Sequence, residues 1–244
     1  MKQKNNKNLL RISEAAHFLG VSINTLRLWD KVGKLKALKS ENKHRYYRKE
    51  ELELFQQDIF ALARIWAESQ QPSTISPDFH CLTQDIFRAR LSRFALLAQE
   101  DNNIKDIIPL VTAIVGEIGN NSYDHNLGNW PDMMGIFFAY DLNKRTVVLA
   151  DRGVGIRATL SRVRPELKDD VMALIVALTE KISGRLPELR GNGLKFVRNS
   201  IIKYSLSLFL QSGNAVAEIR KEDKGLKIRI GDRFVRGTLT KIIY

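Results

Sequence analysis

Apolar residues along this chain recur at two spacings, and each spacing predicts one kind of element. Helical spacing runs through residues 86–97, 104–118, 171–178 and 194–202. Short runs rich in β-branched and aromatic residues predict strands at Met133–Tyr140, Arg145–Ala150, Ser205–Gln211, Ala215–Arg220, Lys227–Ile230 and Thr238–Tyr244. Because helices precede and interrupt these strands, residues 83–244 are predicted to form one α+β domain.

The first quarter of the chain shows a different pattern. Residues 14–20 and 23–30 have the length of two short helices joined by a tight Gly-Val-Ser corner, the sequence form of a helix-turn-helix. Ser13 is the predicted N-cap of the first helix. The positions predicted to pack between the two helices are Ala15, Ala16, Leu19, Val21 and Leu26.

A seam of large apolar residues lies between these two regions. Its members, three and four residues apart on one predicted helix, are Leu52, Phe55, Ile59, Leu62 and Trp66. Two heptads do not establish a coiled coil, so the seam either packs on its own domain or pairs two chains as a homodimer. The stretch 70–77 has two prolines among small polar residues and predicts a linker. The predicted organisation is a first domain at 9–66, a linker at 67–82 and a second domain at 83–244.

Charge and composition narrow the choice of partners. The net charge is +12, and residues 1–66 carry 14 Lys and Arg against 7 Asp and Glu. This excess favours a polyanion, either nucleic acid or an acidic membrane surface. No apolar run is long enough to predict a membrane span, the basic start lacks the features of a signal peptide, and Cys81 is the single cysteine. A cytoplasmic protein without an internal disulfide is expected.

A basic segment follows the predicted helix pair and ends in Arg-Tyr-Tyr-Arg at 45–48, just before an acidic helix start. Helix-turn-helix, basic hairpin and helix in this order resemble the winged-helix class of MerR and excisionase proteins. The resemblance implies double-stranded DNA as a partner, with the second helix at the bases and the hairpin at the phosphates. The candidate DNA-binding residues are Asn24, Thr25, Arg27, Lys43, Arg45 and Tyr46.

Three polar residues share one face of the helix predicted around 104–126, because Glu117, Asn121 and His125 are four residues apart. Two glycine-containing stretches follow, Asp-Arg-Gly-Val-Gly at 151–155 after a strand and Gly-Asn-Gly at 191–193 before a helix. Glycines let the backbone approach a ligand closely, and the N–H groups of a helix start suit phosphate oxygens. Together the three pieces predict one nucleotide site.

In this order the three pieces resemble the N, G1 and G2 boxes of the GHKL ATPases, which include type II topoisomerase ATPase subunits, sensor histidine kinases and MutL. Glu-x-x-x-Asn-x-x-x-His is most similar to the bacterial anti-sigma factor serine kinases. The resemblance covers about residues 83–244. It implies an α/β sandwich of the Bergerat type with a mixed, mostly antiparallel sheet, and ATP and Mg²⁺ as cofactors.

The roles that the resemblance implies fall on particular residues. Asn121 would hold Mg²⁺ through its amide oxygen, and Glu117 would act as general base toward water or a substrate hydroxyl. Asp151 would accept a hydrogen bond from the adenine amino group. Further cofactor contacts are expected from Gly153, Gly155, Arg190, Gly191, Asn192, Gly193 and Thr238.

Other assignments stay open at this point. The segment 157–190 would form a mobile ATP lid. Arg152, Arg157 and Arg185 compete with Arg190 for a phosphate contact. His125 is as consistent with helix packing as with a position near the phosphates.

Three hypotheses about function follow. In the first, the chain is a DNA-binding bacterial regulator in which Mg·ATP binding, with or without hydrolysis, controls DNA or partner binding. In the second, it is a protein serine/threonine kinase that resembles the anti-sigma kinases and acts on a STAS-like or sigma-factor-like partner. In the third, the site binds nucleotide without chemistry. The presence of both Glu117 and Asn121 argues against the third.

Overall fold

The computed structural model describes residues 9–19, 22–31, 35–40, 42, 44–56, 58–71, 75–181, 192–223 and 225–244. The chain divides into two compact units, Met1–Leu62 with Ser73–Ile75, and Ala63–Pro72 with Ser76–Tyr244. This division differs from the predicted one, because most of the predicted linker at 67–82 belongs to the second unit.

The first unit combines short helices with a small antiparallel sheet. Its elements are β1 (Leu9–Arg11), α1 (Ile12–Leu19), α2 (Ile23–Lys31), β2 (Leu38–Lys39), β3 (Arg45–Arg48) and α3 (Lys49–Gln56). The strand order is β1-β3-β2. Of the predicted packing residues, Ala15, Ala16, Leu19 and Leu26 are buried, whereas Val21 lies outside the described residues. The helix-turn-helix and its hairpin are confirmed.

Side chains hold the helix starts of this unit. Helix α1 begins at Ile12, and the Glu14 carboxylate accepts a hydrogen bond from the Arg11 N–H at 2.7 Å. The prediction that Ser13 caps this helix is therefore wrong, because Ser13 already lies in its first turn. Helix α2 follows Ser22, whose hydroxyl accepts from the Thr25 N–H at 3.0 Å, as an N-cap does.

The predicted seam helix is two helices. Between α3 and α4 (Ile59–Glu68) lies Asp58, whose carboxylate accepts from the Ala61 N–H at 3.0 Å and so caps the start of α4. Leu52 is buried in the first unit and Trp66 in the second. These two seam residues therefore pack within the chain and are not exposed for pairing with a second copy.

The second unit contains an antiparallel sheet with helices. Its further elements are β4 (His80–Cys81), α5 (Gln84–Ala98), α6 (Ile108–Asn126), β5 (Ile136–Asp141), β6 (Thr146–Asp151), α7 (Gly155–Leu160), α8 (Asp170–Thr179), α9 (Gly193–Lys203), β7 (Ser207–Ile219) and β8 (Leu226–Ile243). The strand order is β4-β5-β6-β8-β7, and each described pairing is antiparallel. The predicted mixed sheet is thus corrected to an antiparallel one. Few residues separate β5 from β6 and β7 from β8 along the chain, and such short connections impose antiparallel pairing.

Alternate residues of the strands face two different layers. On one face, Phe138 and Leu149 belong to a core cluster with residues of α5, α6, α8 and α9. On the other face, the Phe137 ring lies 6.5 Å from the ring of Trp66 on α4. The last turns of α4 therefore cover the face of the sheet opposite the other helices.

Strands β7 and β8 are longer than predicted. The sequence indicates four strands here, whereas the structure has two. Their pairing runs from Ser207 opposite Ile243 to Ile219 opposite Leu226. The register shifts between Ser212 and Ala215, and Gly213 there has φ of 59°. This irregularity interrupts the alternation of apolar residues, which explains why one strand has the pattern of two.

Candidate functional site

A cavity of about 430 Å³ lies in the second unit between the helices and one end of the sheet. Its size falls within the range of roughly 300–1,000 Å³ that is usual for small-molecule sites. Glu117, Asn121 and His125 all line it, so the helix face predicted from their spacing opens into this cavity. The other site residues that line it are Asp151, Gly155, Gly193 and Thr238.

Asp151, at the end of β6, is a buried carboxylate in this cavity. Its Oδ2 accepts from the hydroxyls of Ser122 and Thr238, and its Oδ1 accepts from the Gly153 N–H at 2.8 Å. Burial raises the pKa of the Asp151 carboxyl, and these hydrogen bonds oppose the rise without cancelling it. The Thr238 N–H is a further donor to this carboxyl, so most of its roughly four acceptor positions are engaged by the protein.

The loop after Asp151 is fixed to α6 and to β7. Asn126 accepts from the Val154 N–H at 2.8 Å and donates to the carbonyl of Ser122 at 2.7 Å. Gly155 has φ of 81°, a backbone conformation that favours glycine, and the next N–H donates to the Ser212 hydroxyl at 3.0 Å. The loop is thus preformed at the cavity wall.

Sequence reasoning missed three residues that build this wall, namely Ser122, Asn126 and Ser212. Ser122 and Asn126 lie four residues apart on α6, next to the face that carries Asn121. Their spacing is a signal that the sequence does contain. Ser212 has no such signal, because only the β7 register brings it to the loop.

Glu117 and Asn121 meet the start of α9 at another part of the cavity. The Asn121 side-chain amide donates to Glu117 Oε1 at 3.3 Å, which leaves the amide oxygen of Asn121 for another partner. A Cβ atom added at Gly193 would collide with the same Oε1, so a larger residue there would push the Glu117 carboxylate aside. Asn192 makes no side-chain capping bond to the first turn of α9. The N–H groups of that turn have no partner within the helix.

Arg152 does not face the cavity, so it is removed from the candidates for a phosphate contact. Its side chain is fully buried and forms a salt bridge with Asp132 at 2.6 Å. It also donates to the carbonyl oxygens of Trp66 at 2.6 Å and Ser69 at 2.9 Å. Arg152 therefore ties the loop after β6 to the end of α4.

The predicted lid at 157–190 is in part a packed helix. Leu174 and Leu178 of α8 are fully buried in the core cluster of the sheet, and Ala177 lines the cavity. Because α8 buries its apolar face, residues 170–179 are a wall of the cavity and not a mobile lid. Arg185, Arg190 and Gly191 lie outside the described residues.

In the first unit, the candidate DNA-binding residues of α2 are accessible. Asn24 and Arg27 are exposed and joined by a hydrogen bond of 3.2 Å, and Thr25 is half-buried. In the hairpin, Tyr46 is half-buried, and Lys43 lies outside the described residues. The neighbouring Tyr47 is fully buried, and its hydroxyl donates to the Leu26 carbonyl at 3.2 Å, which fixes the hairpin against α2.

Arg45 has a structural contact that the sequence did not indicate. Its Nε donates to Asp30 Oδ2 at 2.7 Å, and Lys39 lies 3.1 Å from the same oxygen. Burial alone would raise the pKa of the Asp30 carboxyl, but hydrogen bonds from Arg45, the Ala37 N–H and Lys39 hold it at about 2. Asp30 thus fastens both hairpin strands to the end of α2.

Acid should weaken the first unit through Asp30. Its pKa is depressed in the folded state, so its contribution to stability is present above the ordinary value of 3.8 and is lost as the pH falls toward 2. We expect Asp30→Asn to melt at a lower temperature than the unmodified protein at pH 6, and the difference to shrink by pH 2.5. Circular dichroism melts measure this. A difference that is constant with pH would contradict the role given to the Asp30 charge.

The described residues contain neither a membrane-spanning helix nor a cluster of metal-binding side chains. No helix in that part of the chain is long and apolar enough to cross a membrane. Nor do three or more His, Cys, Asp or Glu side chains gather there in a group that could hold a metal ion.

Comparison with known proteins finds a family match within the first unit. Residues 11–47 match the sequence model described as MerR family regulatory protein. The chain therefore carries a MerR-family helix-turn-helix domain, and the predicted resemblance of this region is confirmed. The chain is also similar to a protein named Type II methyltransferase M.Eco47II from Escherichia coli, with 41% identity over 68 residues. That match covers 28% of this chain and 16% of the relative's length.

Proposed function

We propose that this protein is a DNA-binding regulator whose second unit binds Mg·ATP, in a fold similar to that of the GHKL ATPases, and that nucleotide binding alters DNA affinity. The observation that carries the proposal is the buried Asp151 carboxylate, which lines a cavity of about 430 Å³. A buried acceptor of this kind matches an exocyclic amino group such as that of adenine.

The donor set of the cavity fits a nucleotide with its metal ion. The first turn of α9, beginning at Gly193, offers N–H groups to phosphate oxygens. Asn121 offers an amide oxygen, since its N–H₂ group is engaged by Glu117. A bound Mg²⁺ would neutralise phosphate charge, and in such sites it is held by few protein oxygens together with phosphates. Asn121 is the residue that would hold it.

Glu117 is the proposed general base. Its carboxylate lies against Gly193 and is oriented by the Asn121 amide, so it borders the space proposed for the phosphates. There it would accept a proton from water, or from a Ser or Thr hydroxyl of a STAS-like or sigma-factor-like partner. Release of inorganic phosphate from ATP would support the hypothesis that the site hydrolyses ATP. Transfer of the γ-phosphate to a protein would favour the kinase hypothesis.

The DNA-binding half of the proposal rests on the MerR-family domain. Helix α2 exposes Asn24 and Arg27 near its start, the part of a recognition helix that meets base edges. Asp30 and Tyr47 hold the hairpin against this helix. A rigid helix and hairpin of this kind can engage one groove and the adjacent phosphates together.

Binding of the full-length protein to a duplex from upstream of its own coding sequence tests the proposal. We expect a salt-sensitive complex, because phosphate contacts release counterions. Its dissociation constant should differ more than about threefold between apo protein and protein saturated with Mg·ATP, as coupled sites require. Identical isotherms, with ATP binding verified by calorimetry, would contradict the regulatory link. No detectable ATP binding would contradict the nucleotide site itself.

A further inference from the structure

Arg88 is a cationic residue at the cavity that the sequence motifs do not include. It lies on α5, outside the stretches 117–126, 151–155 and 191–193, and its side chain lines the cavity. Among the lining residues that the structure describes, Arg88 is the one lysine or arginine. The lining carboxylates are Glu117, Asp124 and Asp151. An anionic ligand therefore needs a positive group at this surface to offset their repulsion.

Contacts between α5 and α6 show which residue of α6 lies opposite Arg88. Gln84 donates to Asn120 Oδ1 at 3.0 Å, and a Cβ at Gly116 would lie 3.4 Å from Leu91. The two helices thus run antiparallel, with Gln84 beside Asn120 and Leu91 beside Gly116. Arg88 lies between these two contacts, which places it level with Glu117.

The guanidinium of Arg88 is accessible. The side chain is exposed, and it forms no ion pair with any carboxylate in the described part of the chain. Its neighbour Arg90 differs, because Arg90 donates to the carbonyls of Pro77 and Asp78 at 2.7 and 2.8 Å. Arg88 thus has five N–H donors beside the cavity, and within the described residues no side-chain contact holds them.

We propose that Arg88 binds the terminal phosphate of the nucleotide and thereby makes the site prefer a triphosphate to a diphosphate. The inference rests on the proposed nucleotide site. Glu117, at the same level of the helix pair, borders the N–H groups of α9 that suit phosphates. A guanidinium donates two parallel hydrogen bonds to a phosphate, which an ammonium group does not. The contact with a γ-phosphate is lost when the ligand is ADP.

Calorimetry of full-length Arg88→Ala with Mg·ATP and Mg·ADP tests the inference. We expect the affinity for ATP to fall about ten- to a hundredfold, the magnitude of a lost charge-assisted contact, and the affinity for ADP to change less than about twofold. Arg88→Lys should restore part of the ATP affinity. The matched control is Arg93→Ala, an exposed arginine of the same helix that does not line the cavity, and it should bind both nucleotides normally.

The outcomes separate this inference from the proposed function. If the unmodified protein binds both nucleotides and Arg88→Ala weakens both equally, or neither, the nucleotide site stands and the role of Arg88 falls. If the unmodified protein binds no adenine nucleotide, both fall. Melting of each variant without nucleotide should match the unmodified protein, because the Arg88 guanidinium has no hydrogen bond or ion pair among the described residues.

Discussion

A chain that begins at Thr83, the predicted start of the second domain, should be far less stable than one that begins at Ile59. The shorter chain lacks Trp66, whose side chain is 1% exposed against Phe137. Loss of a buried tryptophan costs roughly 3–5 kcal/mol. In the shorter chain Arg152 also loses its hydrogen bonds to the carbonyls of Trp66 and Ser69. Each buried donor left without a partner costs roughly 1–3 kcal/mol of stability.

These losses approach the roughly 5–15 kcal/mol that stabilises a whole domain. Urea unfolding followed by far-ultraviolet circular dichroism measures the difference. A chain beginning at Ser76 is the informative intermediate, because it keeps the pairing of His80 and Cys81 with β5 but lacks α4. It should unfold between the other two. Equal urea midpoints for chains starting at 59 and 83 would show that α4 is not part of the unit.

Asn121→Ala should abolish the Mg²⁺-dependent part of ATP binding. The Asn121 amide oxygen is the proposed metal ligand, and its N–H₂ group also orients Glu117. We expect the affinity for Mg·ATP to fall at least about a hundredfold, roughly 2.7 kcal/mol, while the weaker binding of ATP in excess EDTA stays unchanged. Calorimetry with and without Mg²⁺ measures the affinity for Mg·ATP and the affinity for metal-free ATP separately.

Asn143→Ala is the matched control for that variant. Asn143 lies in the turn between β5 and β6 and does not line the cavity, so the substitution should leave both affinities unchanged. An Asn121→Ala protein that retains the full effect of Mg²⁺ would remove Asn121 from the metal site. It would leave the assignment of Asp151 intact, because Asp151 occupies a different part of the cavity wall.

The sequence predicted the parts of this protein that depend on local spacing. The face shared by Glu117 and Asn121 follows from four-residue intervals on one helix, and the helix-turn-helix follows from two short helices around a tight corner. Arg152 shows why other parts were missed. Whether an arginine next to a candidate ligand turns toward it or away depends on the residues across the sheet.

The strand β4 and the start of α4 could not be read from the sequence for a related reason. His80 and Cys81 form a strand of two residues, too short to show any alternation, and they follow a stretch with the composition of a linker. Trp66 appeared to continue the seam of Leu52, although Asp58 caps a new helix between them. The spacing of apolar residues does not change where a capping side chain such as Asp58 starts a new helix, so the pattern does not show the break.

Asp151 and Arg152 are consecutive residues, and consecutive residues at a strand end point to opposite faces of a sheet. Asp151 turns to the cavity, and Arg152 turns to the carbonyls at the end of α4. Their Cα atoms are about 3.8 Å apart, the length of one peptide unit. A ligand that shifts the backbone at Asp151 would therefore also move the partner of the Trp66 carbonyl in the last turn of α4.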